Sequence, residues 1–154
     1  FTNSAIGYPP CTAQACLEIL KYYQVPLSGK RAVVVGRSLV VGKPAAMMLD
    51  RENATVTLCN SRTQNLPALC QEADVVVVAM GKQGAIGGEH LRAGQVVVDV
   101  GIHVNAEGKL CGDVRFDEAE PLVAAVTPVP GGVGTVTTSV LVGHVVEAAE
   151  KALG

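Results

Sequence analysis

The chain has 154 residues, 49% apolar and 17% charged, with a formal net charge of −2 at neutral pH. That length carries one domain with a sizeable core. The slight negative charge excludes the basic footprint of a nucleic-acid binder, and Gly, Pro or charge interrupts every apolar run short of a membrane span.

The opening "FTNSAIGYPP" has neither the basic region nor the apolar stretch of a signal peptide. Without an initiator Met, the chain is expected to be cut from a longer polypeptide. Thr12 is read as the N-cap of a helix over "AQACLEILKYYQ", which Pro26 and Ser28-Gly29 end. "RAVVVG" is a continuous β-branched run, a strand buried on both faces. Pro44 stands in the first turn of a helix through "AAMMLD". "ATVTLC" is a second strand, "LPALCQEA" a helix begun by Asn65 and Pro67, and "DVVVVAMG" and "GQVVVDVG" are strands three and four. Between those two lies a glycine-rich loop with a short helical turn. "NAEGKLCGDV" reads as a hairpin turning at Glu107-Gly108, "DEAEPLVAAV" as a short helix, "AVTPVP" as a brief strand, and "TVTTSVLVGHVVEAAEKAL" as a long helix capped by Thr135 or Thr137.

Strands alternating with helices, most strands apolar throughout, predict an α/β fold of the doubly wound, Rossmann type, with a mostly parallel sheet and helices on both faces over residues 1–154. Such sheets bind ligands at the carboxyl ends of their strands. The loops after Gly36, Cys59, Gly81 and Gly101 are expected to share that edge.

"VVVGRSLVVGKP" lacks the G-x-G-x-x-G spacing of a dinucleotide loop. Gly36 still permits a sharp turn, Pro44 opens a helix whose free N–H groups favour an anion, and Arg37 offers a guanidinium to a phosphate. Where a NAD site needs an acid for the ribose 2′-OH, this chain has "CNSRTQN". Ser61 and Arg62 there suit a 2′-phosphate, so a dinucleotide site would favour NADP. The missing acid counts against an S-adenosylmethionine methyltransferase, and "GKP" lacks the G-K-[ST] of a phosphate-cradling kinase loop. Asp99 is read as a satisfied group capping a neighbouring loop. His90, His103 and His144 lack metal-ligand spacing, so no metal is expected. "TPVPGGVGTV" is a bent, stiff loop before a helix, and such loops carry ligand contacts. The five cysteines, odd in number and without C-x-x-C, read as buried or half-buried thiols of a reducing cytoplasm.

Together, "PPCT", "GRSLVVGKPAAMML", "NATVTLCNSRT", "ADVVVVAMGKQG", "VVVDVGI", "GDV" and "TPVPGGVG" resemble the C-terminal, nucleotide-binding half of bifunctional methylenetetrahydrofolate dehydrogenase/methenyltetrahydrofolate cyclohydrolase. The motifs follow the family's order along nearly the whole chain. The resemblance implies NADP-dependent oxidation of 5,10-methylenetetrahydrofolate to the methenyl cation, then hydrolysis to 10-formyltetrahydrofolate. It places Gly36, Arg37, Ser38, Val41 and Gly42 at the pyrophosphate and adenosine. Ser61 joins Arg37 at the 2′-phosphate, and the charge of Arg62 adds it there. Ala79, Met80, Gly81 and Ile102 lie along the ribose and nicotinamide, Thr12 and Thr137 reach the cofactor from flanking helices, and Gly131, Gly132 and Val133 border the folate cleft. It also implies a homodimer, with tetrahydrofolate derivatives as ligands, no nucleic acid and no membrane.

The pattern departs at Thr135, where the family has Pro, and at Asn60, where it has His. The family's catalytic Tyr and Lys stand four residues apart in an N-terminal domain. Here the residues four after Tyr8, Tyr22 and Tyr23 are Thr12, Pro26 and Leu27, so no catalytic residue is assigned. The chain alone is expected to bind nucleotide without catalysis, with its first and last helices made to pack on the missing domain. Another NADP-dependent Rossmann oxidoreductase, such as a shikimate dehydrogenase relative, and a free-standing nucleotide-binding module are the alternatives.

Overall fold

The valine runs form the centre of one parallel sheet. A computed structural model describes residues 7–154. Helix α1 (Cys11–Tyr22) precedes β1 (Arg31–Val35), α2 (Gly42–Arg51), β2 (Thr55–Cys59), α3 (Leu66–Glu72) and β3 (Val75–Val78). A 3-10 turn at Gly88–His90 leads into β4 (Val96–Asp99). The hairpin β5 (His103–Val104) and β6 (Leu110–Cys111), helix α4 (Phe116–Ala119), β7 (Ala125–Val126) and the long α5 (Val133–Leu153) follow.

The strand order is β2-β1-β3-β4-β7, with every neighbouring pair parallel. The chain enters at β1, steps out to β2, then crosses back over β1 to β3. Strand order therefore reverses between β1 and β3, the place where doubly wound sheets bind ligands. The expected α/β class holds.

Alternation along the strands builds two cores. Ala32, Val34, Val75, Val77 and Val98 meet α1, α2 and α5 on one face. Val33, Val35, Val76, Val78 and Val97 meet α3, Ile86, Leu91, Val114 and Ala119 on the other. Both faces are dry, which is why these strands read as unbroken apolar runs. β2 differs: it is the edge strand, and Thr55, Thr57 and Leu58 are exposed.

Three helix ends depart from expectation. Helix α1 starts at Cys11 with Pro10 in the cap position, so Thr12 lies inside the first turn and caps nothing. The carbonyl of Pro10 already accepts the Gln14 N–H at 3.0 Å, which starts the helix before the hydroxyl is reached. At its other end Gln24 adopts φ 55. The Val25 N–H then reaches the Leu20 carbonyl at 2.9 Å and the Gln24 N–H that of Lys21 at 3.0 Å. This is a Schellman closure without its usual glycine, and it ends α1 ahead of Pro26. Helix α5 begins at Val133 with Gly132 in the cap position. Thr135 and Thr137 are not caps: their hydroxyls donate back to the Gly132 and Val133 carbonyls at 2.7 and 3.0 Å, as threonines inside a helix do.

Candidate functional site at the carboxyl edge of the sheet

Register aligns the strand ends. Val35 pairs with Cys59 on one side and Val78 on the other, and Val78 pairs with Asp99. The loops that follow these four residues share one edge, as expected.

Gly36 turns the first loop with φ 122, and a Cβ there would lie 2.0 Å from the Ala79 carbonyl oxygen. A Cβ on Gly42 would lie 1.9 Å from the Gly36 carbonyl oxygen. One glycine thus makes the turn at the switch point, and the other lets α2 start hard against the strand end. These are two of the three glycine roles in a dinucleotide loop, met at a different spacing.

The amides at the start of α2 are not free, contrary to expectation. The Ser38 hydroxyl accepts from the Val41 and Gly42 N–H groups at 3.1 and 3.4 Å, and the Ser38 carbonyl accepts from Lys43 at 3.0 Å. Pro44 has no N–H. What this loop offers an anion is the exposed Arg37 and the remaining proton of the Ser38 hydroxyl.

The second loop is tied to the first by the Gly36 N–H, which donates to the Cys59 carbonyl at 2.9 Å. Asn60 shapes it: its Oδ1 accepts from Arg62 N–H at 2.9 Å, and its own N–H donates to Thr63 Oγ1 at 2.8 Å. This Asx turn leaves Ser61 and Arg62 exposed beside the strand end. Asn60 thus serves the turn from within, in the place where the family pattern has His.

Beneath the third and fourth loops lies a polar core. Asp99, 3% exposed, accepts from the Gly101 and Asp113 N–H groups through Oδ1, at 2.9 and 3.1 Å, and from Val114 through Oδ2 at 3.0 Å. It caps a neighbouring loop, as read from the sequence. Burial pushes its carboxyl above the usual aspartate range, and the three backbone donors pull the other way. Gly112 makes room, since a Cβ there would sit 1.9 Å from Asp99 Oδ2. Asp113 is fully buried. Its Oδ2 accepts from the Met80 and Gly81 N–H groups at 2.7 and 2.9 Å, and its Oδ1 from His103 Nε2 at 2.7 Å. Sequence reading quoted "GDV" without giving Asp113 a task; its partners stand 32 and 33 positions away, beyond any local signal.

The remaining candidates fall in two groups. Ile102 joins Gly131, Gly132 and Val133 around a cleft of about 160 Å³ at the ends of β4 and β7, and a Cβ on Gly134 would come within 3.8 Å of Ile102 Cδ1. A larger apolar cleft, about 570 Å³, lies on the other side of that loop beside β7 and α1, away from Arg37 and Ser61. Thr12 and Thr137 stand on α1 and α5, which pack together on one face. There His144 Nε2 reaches Gln14 Oε1 at 2.7 Å and Nδ1 lies 3.6 Å from Cys11 Sγ. No helix among the described residues is long and apolar enough to cross a membrane.

A parallel sheet reversing beside Gly36, two close-packing glycines at that point and a hydroxyl–guanidinium pair at the next strand end make this a doubly wound α/β domain with a nucleotide-type ligand edge. The chain belongs to the tetrahydrofolate dehydrogenase/cyclohydrolase NAD(P)-binding domain family, whose model matches residues 10–153. It is 59% identical over 152 residues to the bifunctional protein FolD of Carboxydothermus hydrogenoformans, covering 97% of this chain and 53% of that protein. The crystal structure of the bifunctional FolD methylenetetrahydrofolate dehydrogenase/cyclohydrolase from Campylobacter jejuni superposes with a TM-score of 0.93 at 38% identity, over 96% of this chain and 52% of that one. The Trypanosoma brucei enzyme, complexed with NADP cofactor and inhibitor, gives 0.88 at 39% identity, over 94% and 52%. The chain spans about half the length of these relatives.

Proposed function

We propose that this chain is the NADP-binding half of a bifunctional enzyme that oxidises 5,10-methylenetetrahydrofolate to the methenyl form and hydrolyses that to 10-formyltetrahydrofolate. The observation that carries the cofactor reading is the pairing of loops 36–42 and 60–63. The bond from Gly36 N–H to the Cys59 carbonyl joins them, and they present Arg37, Ser61 and Arg62 with no carboxylate where NAD would need one. The Trypanosoma brucei relative's complex with NADP supports the same choice.

Bound NADP supplies the hydride acceptor. This chain's own residues hold and orient it. Arg37, Ser61 and Arg62 take the 2′-phosphate, and Ser38, Val41 and Gly42 line the pyrophosphate and adenosine. Ala79, Met80, Gly81 and Ile102 run along the nicotinamide ribose, with Thr12 and Thr137 on the flanking helices. Gly131, Gly132 and Val133 border the folate. The catalytic groups belong to the rest of the enzyme. Leu141, Val142, Val145 and Val146, all exposed on α5, are the apolar face expected to pack on it. Five free thiols fit a reducing cytoplasm, and a homodimer is expected by kinship.

Calorimetric titration of the chain with NADP and NAD tests the reading. NADP should bind more tightly. Because hydrogen bonds to charged groups are worth about 1.5–3 kcal/mol, Arg37→Ala should cost roughly tenfold or more in NADP affinity and little in NAD. Equal affinity for both cofactors would overturn the 2′-phosphate assignment.

A further inference from the structure

Two successive N–H groups, those of Met80 and Gly81, converge on one oxygen, Asp113 Oδ2, at 2.7 and 2.9 Å. Gly81 has φ 68, and successive amides in such a turn form a small anion-binding concavity. On a ligand edge that concavity would ordinarily face a phosphate. Here a buried carboxylate of the chain itself fills it, so the loop after β3 turns its donors inward. A Cβ on Gly81 would meet nothing within 4 Å, so the opposite side of the loop is open.

Asp113 is itself held from three directions. Its N–H donates to Asp99 Oδ1 at 3.1 Å, and its carbonyl accepts from Ile86 at 3.1 Å. Its second oxygen takes His103 Nε2 at 2.7 Å. A carboxylate only accepts, so Nε2 carries the proton in that bond. Gly101 clears the space, since a Cβ there would lie 2.4 Å from Asp113 Oδ1. His103, on the short hairpin strand β5, is partly open, with its side chain 22% exposed against 0% for Asp113.

We propose that Asp113, oriented by His103, is a positioning residue for the nicotinamide half of the cofactor. It fixes the peptide planes of residues 80 and 81 so that their open side, not their amides, meets the ligand. This rests on the NADP reading above. It adds that affinity for the two halves of the dinucleotide is governed by separate elements: the loops after β1 and β2 for the adenosine 2′-phosphate, and the Asp113-held loop for the nicotinamide.

The test compares NADP with adenosine 2′,5′-bisphosphate, which lacks the nicotinamide half, on the wild-type chain and on Asp113→Asn, His103→Leu and His103→Gln. Circular dichroism confirms that each variant is folded. Asp113→Asn and His103→Leu should weaken NADP about tenfold while leaving the bisphosphate within about twofold. His103→Gln keeps an N–H donor and should restore most of the loss. His103→Leu replaces a partly exposed side chain, so it decides the matter if Asp113→Asn fails to fold. The proposal is overturned if both ligands weaken together, if neither changes, or if the wild type binds NADP no better than the bisphosphate. A wild type that binds neither ligand sinks the NADP reading instead.

Discussion

The Ala79 carbonyl oxygen occupies the space a side chain on Gly36 would need: an added Cβ would lie 2.0 Å from it, at a backbone φ of 122. This contact locks the loops after β1 and β3 together at the point where strand order reverses. Gly36→Ala therefore meets both a strained backbone and a backbone clash that no rotamer relieves. The expected loss of unfolding free energy is roughly 2–4 kcal/mol, read from the urea midpoint. A loss within about 0.5 kcal/mol, typical of surface changes, would show that the two loops separate easily.

Gln95 has no exposure and no slack. Its Oε1 accepts from Arg92 N–H at 2.7 Å, and its Nε2 donates to the Cys70 and Ala73 carbonyls at 2.7 and 2.8 Å. Both carbonyls keep another donor: Ala73 N–H for Cys70, and Arg92 Nη2 for Ala73. The Arg92 N–H keeps none of its bond to Gln95. Gln95→Leu, close in volume, should cost about 2–3 kcal/mol in thermal or urea unfolding, with cofactor affinity unchanged because α3 and the start of β4 lie away from the ligand edge. Equal stability would mean that this amide is redundant.

His90 gives the fold a pH dependence of definite sign. Burial holds its imidazole below the ordinary 6.5, although the Glu89 carboxylate beside it pulls upward. Its Nδ1 accepts the Gly87 N–H at 3.2 Å, a bond that protonation would abolish. As the pH falls below 6.5, the unfolded chain takes up this proton before the folded one does, so stability drops through the window between 6.5 and the lowered folded value. Urea midpoints of wild type and His90→Asn across that range should differ in slope, with the wild type losing stability on acidification relative to the variant. Parallel curves would remove His90 from the acid response.

Much of this architecture was legible in the residues. The valine runs at 33–35, 75–78 and 96–98 announced strands buried on both faces, and their alternation with helices announced the doubly wound class. The "NSRT" stretch declared the lack of a ribose-binding acid. Helix ends were read less well, because hydroxyl and glycine signals have more than one use. Thr12, Thr135 and Thr137 look like caps, yet Pro10 and Gly132 hold those positions, and Gln24 closes α1 in a conformation that glycine usually takes.

The sequence by itself determined what is local or periodic: which segments are strands, that both sheet faces are covered, and that the loop after β2 carries Ser61 and Arg62 rather than an acid. Only the tertiary structure decided which groups meet. The inward turn of the Met80 and Gly81 amides onto Asp113, the occupation of the α2 amides by Ser38, and the Gly36–Ala79 contact follow from strand order and register. A hydrogen bond between residues 33 positions apart leaves no trace in composition or spacing. It exists because parallel pairing brings the ends of β1, β3 and β4 to one edge, where a buried carboxylate must find donors.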